Sequence, residues 1–320
     1  MSTEHVLGIS AASTSLALAM ARLTSALNEV AYEVRDGSLH EPVAGERFDL
    51  IVSNPPSVVS PGTDAALVYR DSGLPGDEVV RRVVSQSSHH LNEAGWCQVL
   101  ANWAHRRGED WQERVERWIP GDCDAWVLQR ERVDLPTYVE MWLTDAGAHG
   151  APGYVRRYDR WLRWFDEQGI EAVGFGWLSL RRAGRDQPVR RLEEWPYEME
   201  QPVGLSVTGW AERTDRLPAS DADLLGLRLN QPEGLAQETV GEPGSVDPER
   251  ILLRLQRGVR RARQVDTVEA GFVGACDGDL TVGQLLDALA ELTRADATDL
   301  RAEYLPRVRA LVTDGYLDRA

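Results

Sequence analysis

The stretch FDLIVSNPPS, Phe48 to Ser57, runs an apolar segment straight into an asparagine and two prolines. Phe48 to Ser53 has the composition of a buried strand. The Pro-Pro pair removes two backbone donors and biases Asn54 and Pro55 towards extended conformations. An ordinary strand exit would use Gly, Asp or a single Pro. Two readings follow. Either the segment is simply a rigid exit, or its stiffness fixes two acceptors at the edge of a sheet. Those acceptors would be the Asn54 side-chain oxygen and the Pro55 carbonyl, placed to hold an amino group.

The flanking sequence supplies the sheet. HVLGIS (5–10) reads as a strand, followed by a helix that puts Leu16, Met20, Leu23 and Leu27 on one face with Ser13 as N-cap. YEVRDGSL (32–39) reads as a second strand breaking at Asp36-Gly37, and FDLIVS as a third. The amphipathic run GDEVVRRVVSQSSHHL, a turn at NEAGW and a strand at CQVLANW come next. Alternating strands and helices predict a parallel α/β sheet, whose ligands lie at the strands' carboxyl ends. Asn54 falls at such an end.

Further on, helices are expected at EDWQERVERWI, LPTYVEMWL and YVRRYDRWLRWFDEQG, with a strand at DAWVLQRE. The aromatic residues of the third helix recur at core spacing. EAVGFGWLSLRR reads as a late strand pair and RRAGRDQPVRRLEEW as a solvated basic hairpin loop. The expected organisation is an α/β domain over 1–213, a Pro-, Gly- and Asp-rich linker over 214–249, and a small module over 250–320. In that module two helices, the second closing on Gly315, precede a short strand. This order suggests a winged-helix-like fold. Its acidic side chains favour packing or partner contact over DNA.

Composition narrows the function. The chain has 320 residues, 42% hydrophobic and 27% charged, and a formal net charge of −16. That charge disfavours broad attraction to nucleic acid or anionic lipid. Every basic side chain other than histidine is Arg, which removes a Walker-A or Schiff-base lysine. No apolar run approaches a membrane span and no signal peptide is expected. Cys97, Cys123 and Cys276 lie far apart and are expected as free thiols in a cytoplasmic protein. The histidines form no ligand spacing, so no metal is expected. His89-His90 is explained by its place near a helix end.

With these elements placed, GSLHEPV, FDLIVSNPPSVVSPG and YRDSGLPGD together resemble the class I, S-adenosylmethionine-dependent methyltransferases of the NPP[YF] type, and within them an actinobacterial group. The likeness covers roughly residues 6–210, and VGACDGDLTVGQLLDALAEL is similar to that group's C-terminal module. It implies a Rossmann-like methyltransferase sheet and methyl transfer to an amino group of RNA, DNA or protein glutamine, with S-adenosylmethionine as cofactor. A delocalised amine attacks a methyl sulfonium poorly. Two acceptors on its N–H groups draw it towards tetrahedral geometry and orient the lone pair.

The resemblance puts Asn54, Pro55 and Pro56 in the catalytic motif. Ser57 takes the place of the usual stacking aromatic. Tyr69, Arg70 and Asp71 belong to a candidate substrate loop. Asp36, Gly37 and Ser38 match the turn that borders the adenine, although a plain turn serves equally well. Gly8 stands where the family carries an acidic residue for the ribose. The family's first strand and Gly-rich turn precede the equivalent of HVLGIS. Only five residues precede Val6 here, so the expectation is an N-terminally truncated sheet with a degenerate cofactor site and exposed apolar atoms from VLGI or helix 16–27. A non-catalytic scaffold descended from a methyltransferase is the alternative from a different class.

Overall fold

The computed structural model describes residues 6–9, 15–61, 74–242 and 248–320. The chain divides into two compact units, Met1–Pro196 and Tyr197–Ala320.

The first unit contains β1 (Val6–Ile9), α1 (Ser15–Leu27), β2 (Phe48–Ser53), α2 (Glu78–Gln86), β3 (Leu91–Arg106) and α3 (Trp111–Glu116). It continues with β4 (Cys123–Asp134), α4 (Leu135–Asp145), α5 (Tyr154–Glu167), β5 (Ile170–Arg182) and β6 (Arg190–Glu194). Its α/β sheet has the order β1-β2-β3-β5-β4-β6. β1 and β2, β2 and β3, and β4 and β6 pair in parallel. β5 runs antiparallel to both β3 and β4, so the sheet is mixed and parallel-rich.

One face of the sheet carries Ile9, Ile51, Cys97, Val99, Ala101, Trp103, Leu178 and Leu180 into a buried core. α2 closes that core with Val80, Val83 and Val84, the spacing of one helical face. α4 and α5 build another core in which Tyr138, Val139, Leu143, Trp161 and Phe165 pack with Val58, Val59 and Val173. Trp161 and Phe165 of α5 are therefore core, and Tyr154, Tyr158 and Trp164 pack half-buried against it, as their spacing predicts. On the sheet's opposite face Val6, Val52 and Leu100 are exposed. Leu16, Met20, Leu23 and Leu27 of α1 are exposed too, as expected for that helix.

Four expectations for this unit are corrected. Residues 30–36 form no strand; Arg35 there bonds Glu33, Glu46 and the Pro42 carbonyl, which ties the segment to a local turn instead of a ladder. NEAGW is no free turn but an irregular part of β3, where the register with β2 shifts. A Cβ at Gly95 would lie 3.0 Å from the Phe48 carbonyl, so glycine lets the two strands approach. EAVGFGWLSLRR is a single strand. Its Gly174 and Gly176 make room for Trp103, whose indole would lie 2.6 Å from an added Cβ at either position. The basic segment is not a hairpin, because β6 leaves β5 to pair with β4.

The second unit contains α6 (Gly204–Arg216), α7 (Asp221–Leu225), β7 (Arg228–Asn230), β8 (Leu235–Val240), β9 (Arg250–Leu255) and β10 (Ala262–Val265). After these come α8 (Thr267–Gly274), β11 (Asp277–Thr281), α9 (Val282–Thr293), α10 (Ala297–Asp314) and β12 (Asp318–Arg319). The strands form two antiparallel sheets, β10-β9-β8 and β11-β7-β12. The run α8-β11-α9-α10-β12 ends in two helices and a short strand, the order expected for this module. Thr281 and Gln284 form a reciprocal capping box on α9, and Gly315 ends α10 in the left-handed conformation. The stretch 214–249, read as a linker, holds α7, β7 and β8, and its Leu224 and Leu229 lie in this unit's core.

Candidate functional site

Asn54 follows the last residue of β2. Along this exit Ile51 and Ser53 are buried and Val52 is exposed; Asn54 is exposed and Pro55 buried. The alternation presents Asn54 outward while the proline behind it is packed. Pro56 and Ser57 are half-buried. β1 is the direct neighbour of β2, with Gly8 opposite Val52, and the Ser53 hydroxyl donates to the Ile9 carbonyl at 3.0 Å. Gly8 and Asn54 therefore stand on adjoining strand ends.

Beyond the prolines the chain stays buried through Val58, Val59 and Ser60. Proline cannot donate, so this segment takes its restraint from elsewhere in the unit. The Val59 N–H donates to the Tyr138 hydroxyl of α4 at 2.8 Å. The Ser60 carbonyl accepts from Gly76 N at 3.1 Å, which brings the two ends of the intervening chain together. Tyr69, Arg70 and Asp71 lie in that interval, outside the described residues. Asp77 accepts from the Ala104 N–H at 2.8 Å and pairs with Arg114.

Asp36 and Ser38 are exposed. The Ser38 carbonyl accepts from Glu41 N at 2.9 Å, and a Cβ at Gly37 would lie 2.4 Å from Pro42 Cγ. Packing against Pro42 is thus enough to require glycine there. Gly8 differs: among the described residues a Cβ built on it meets nothing within 4 Å. The backbone of β1 is open to a ligand at that point, but Gly8 offers no side chain to accept from a ribose hydroxyl. The residues that would border S-adenosylmethionine thus offer open backbone at Gly8 and the exposed polar groups of Asp36 and Ser38.

The histidines of this region form an arrangement that sequence reasoning did not anticipate. His40, buried, stacks on His90 with ring centroids 4.8 Å apart and planes 9° apart. His90 Nδ1 lies 3.1 Å from the Glu46 carbonyl oxygen. Burial, and then the neighbouring His90 ring, hold the His40 imidazole down to about 4. Fifty residues of sequence separation hide this pair, as 79 hide Tyr138 from Val59.

In the basic segment, Arg182 pairs with Asp122, Arg185 with Asp124, Arg190 with Glu116 and Arg191 with Glu193. These guanidinium groups are largely engaged within the unit. Among the described residues no group of three or more His, Cys, Asp or Glu side chains could hold a metal. Among the described residues no helix is long and apolar enough to cross a membrane.

Residues 6–113 match the family model described as "Methyltransferase small domain", and residues 208–319 match one described as "Domain of unknown function (DUF7782)". The release factor glutamine methyltransferase of Geobacter sulfurreducens is 32% identical over 92 residues, covering 26% of this chain and 32% of that protein. That of Xylella fastidiosa (strain Temecula1) is 36% identical over 87 residues, covering 24% and 30%. The chain thus spans about a third of the length of the curated relatives it matches. Among solved structures, an O-methyltransferase of a Brevibacillus brevis trans-AT PKS multienzyme, in complex with S-adenosyl-L-homocysteine, is 14% identical. It covers 53% of this chain and 56% of that one, with a TM-score of 0.28. Residues 6–113 are thus similar to a methyltransferase small domain.

Proposed function

We propose that this chain is an S-adenosylmethionine-dependent N-methyltransferase of the NPP type whose acceptor is the side-chain amide of a protein glutamine. The observation that carries the reading is Asn54-Pro55-Pro56 at the carboxyl end of β2, inside the residues that match the methyltransferase small-domain model. The glutamine acceptor is supported by the names of the curated relatives and by the net charge of −16, which works against a nucleic-acid substrate.

When bound, the cofactor supplies an electrophilic methyl sulfonium. The Asn54 side-chain oxygen and the Pro55 carbonyl accept from the two N–H groups of the amide. They orient its lone pair and stabilise the positive charge that develops on nitrogen. Pro55 and Pro56 restrict the backbone, so the acceptors are held before the substrate arrives. Gly8, Asp36, Gly37 and Ser38 would border the cofactor. Ser57 leaves the position beside the motif without an aromatic face, so planar stacking contributes less to acceptor binding here.

The purified chain should bind S-adenosylmethionine in calorimetry and transfer a labelled methyl group to a protein acceptor in cell extract. If neither occurs, the catalytic reading falls. The specific observation favouring a scaffold in that event is Gly8, which carries no group for the ribose.

A further inference from the structure

We infer that Tyr138, far from the motif in sequence, is a positioning residue for the strand exit that carries Asn54 and Pro55; its effect on catalysis rests on the methyltransferase reading above. Pro55 and Pro56 have no N–H, so the donors that follow them take a larger share in holding the exit. Val58, Val59 and Ser60 are buried, and a buried backbone donor without a partner costs about as much as a lost hydrogen bond. For Val59 the partner is not a neighbouring strand but a side-chain hydroxyl of α4 at 2.8 Å. The path of the chain four residues beyond Pro55 is therefore set by where α4 places one phenol.

That phenol is rigidly placed. Tyr138 is fully buried, with its ring set edge-on to Trp142 and Phe165, each at 6.1 Å, and 5.8 Å from Phe175. The side chains of Asn102 and Trp142 border its hydroxyl. Asp134 caps the helix by accepting from the Thr137 N–H at 2.9 Å, which fixes the turn just before Tyr138. Removing the hydroxyl alone would leave the ring packing intact and free the Val59 amide. The Pro55 carbonyl would then lose part of its fixed direction, and a catalytic acceptor displaced by a fraction of an ångström loses much of its value.

The test is Tyr138→Phe beside Leu143→Ala, a core truncation on the same helix that keeps the hydroxyl. Tyr138→Phe should raise amide hydrogen exchange at Val59 on the order of tenfold or more. It should also lower kcat for methyl transfer roughly tenfold, with S-adenosylmethionine affinity unchanged. Leu143→Ala should reduce thermal stability at least as much while leaving Val59 exchange and kcat nearer wild type. Unchanged Val59 exchange in Tyr138→Phe, or equal kcat losses in the two variants, would overturn the inference. If the wild-type chain transfers no methyl group, the methyltransferase reading fails, and the exchange measurement still decides whether Tyr138 holds the exit.

Discussion

Arg114 and Asp77 form a bidentate ion pair in which both side chains are more than nine-tenths buried, with N–O distances of 2.6 and 2.7 Å. Asp77 stands at the N-cap of α2, yet its carboxylate makes no cap bond. It turns instead to Arg114 of α3 and to the Ala104 N–H of β3, so one side chain joins two helices and a strand. Arg114 also lies over Trp118, 4.9 Å from the ring centroid. Removing one partner leaves the other charge buried and uncompensated. Arg114→Met is expected to cost about 3–5 kcal/mol. Urea unfolding checks this, and the double variant with Asp77→Asn should lose less than Arg114→Met alone.

Asn54→Ala removes one of the two acceptors assigned to the substrate amide. Methyl transfer should fall about a hundredfold, on the order of 3 kcal/mol in the transition state. Cofactor affinity should hardly change, because the side chain serves the acceptor end. Ser57→Tyr should act the other way, restoring a flat apolar face and lowering KM for a planar amide. A wild-type rate in Asn54→Ala would reduce the motif to a rigid strand exit.

His40 gives the first unit a defined response to acid. Its imidazole ordinarily titrates near 6.5 and is held to about 4 in the fold, by burial first and then by His90. The unfolded chain therefore takes up this proton before the folded one. The contribution is fully present above about pH 6.5 and is lost as pH falls through about 4, amounting to about 3 kcal/mol when complete. Denaturation midpoints at pH 7 and pH 4.5 should differ less in His40→Gln than in wild type. An equal difference in both proteins would exclude His40 as the cause.

The outward residues of α1 should be replaceable without loss of fold. Leu16 is 70% and Leu27 74% exposed, so neither is held in a core. Leu16→Gln with Leu27→Gln should shift stability by no more than about 0.5 kcal/mol and reduce binding of an apolar dye. A large fall in Tm would mean that these side chains are packed in solution.

The thiols should be inert in the native state. All three cysteines are buried, and burial pushes each up to about 12. A thiol reagent at pH 8 should therefore label the chain only after denaturant is added, with three equivalents consumed. Rapid labelling of the native protein would show that one of them is open to solvent.

The sequence by itself determined the local elements. Period and composition placed α2, α4, α5, α9 and α10, the strands β2 and β4, and the abrupt Asn-Pro-Pro exit, because each depends on side chains within a few residues of one another. The same locality explains the failures. Whether residues 30–36 join a sheet depends on a partner strand, and whether EAVGFGWLSLRR is one strand or two depends on Trp103 crossing its glycines. The direction of β5 and the pairing of β6 with β4 are likewise properties of the closed sheet. At the site, proline chemistry made Asn54 and Pro55 legible. Nothing within reach of them in sequence points to Tyr138, 79 positions beyond Val59, or to the Arg114 that anchors Asp77. Buried donors and charges must find partners wherever the fold delivers them, so only the tertiary structure decided which side chains meet the Val59 amide and the Asp77 carboxylate.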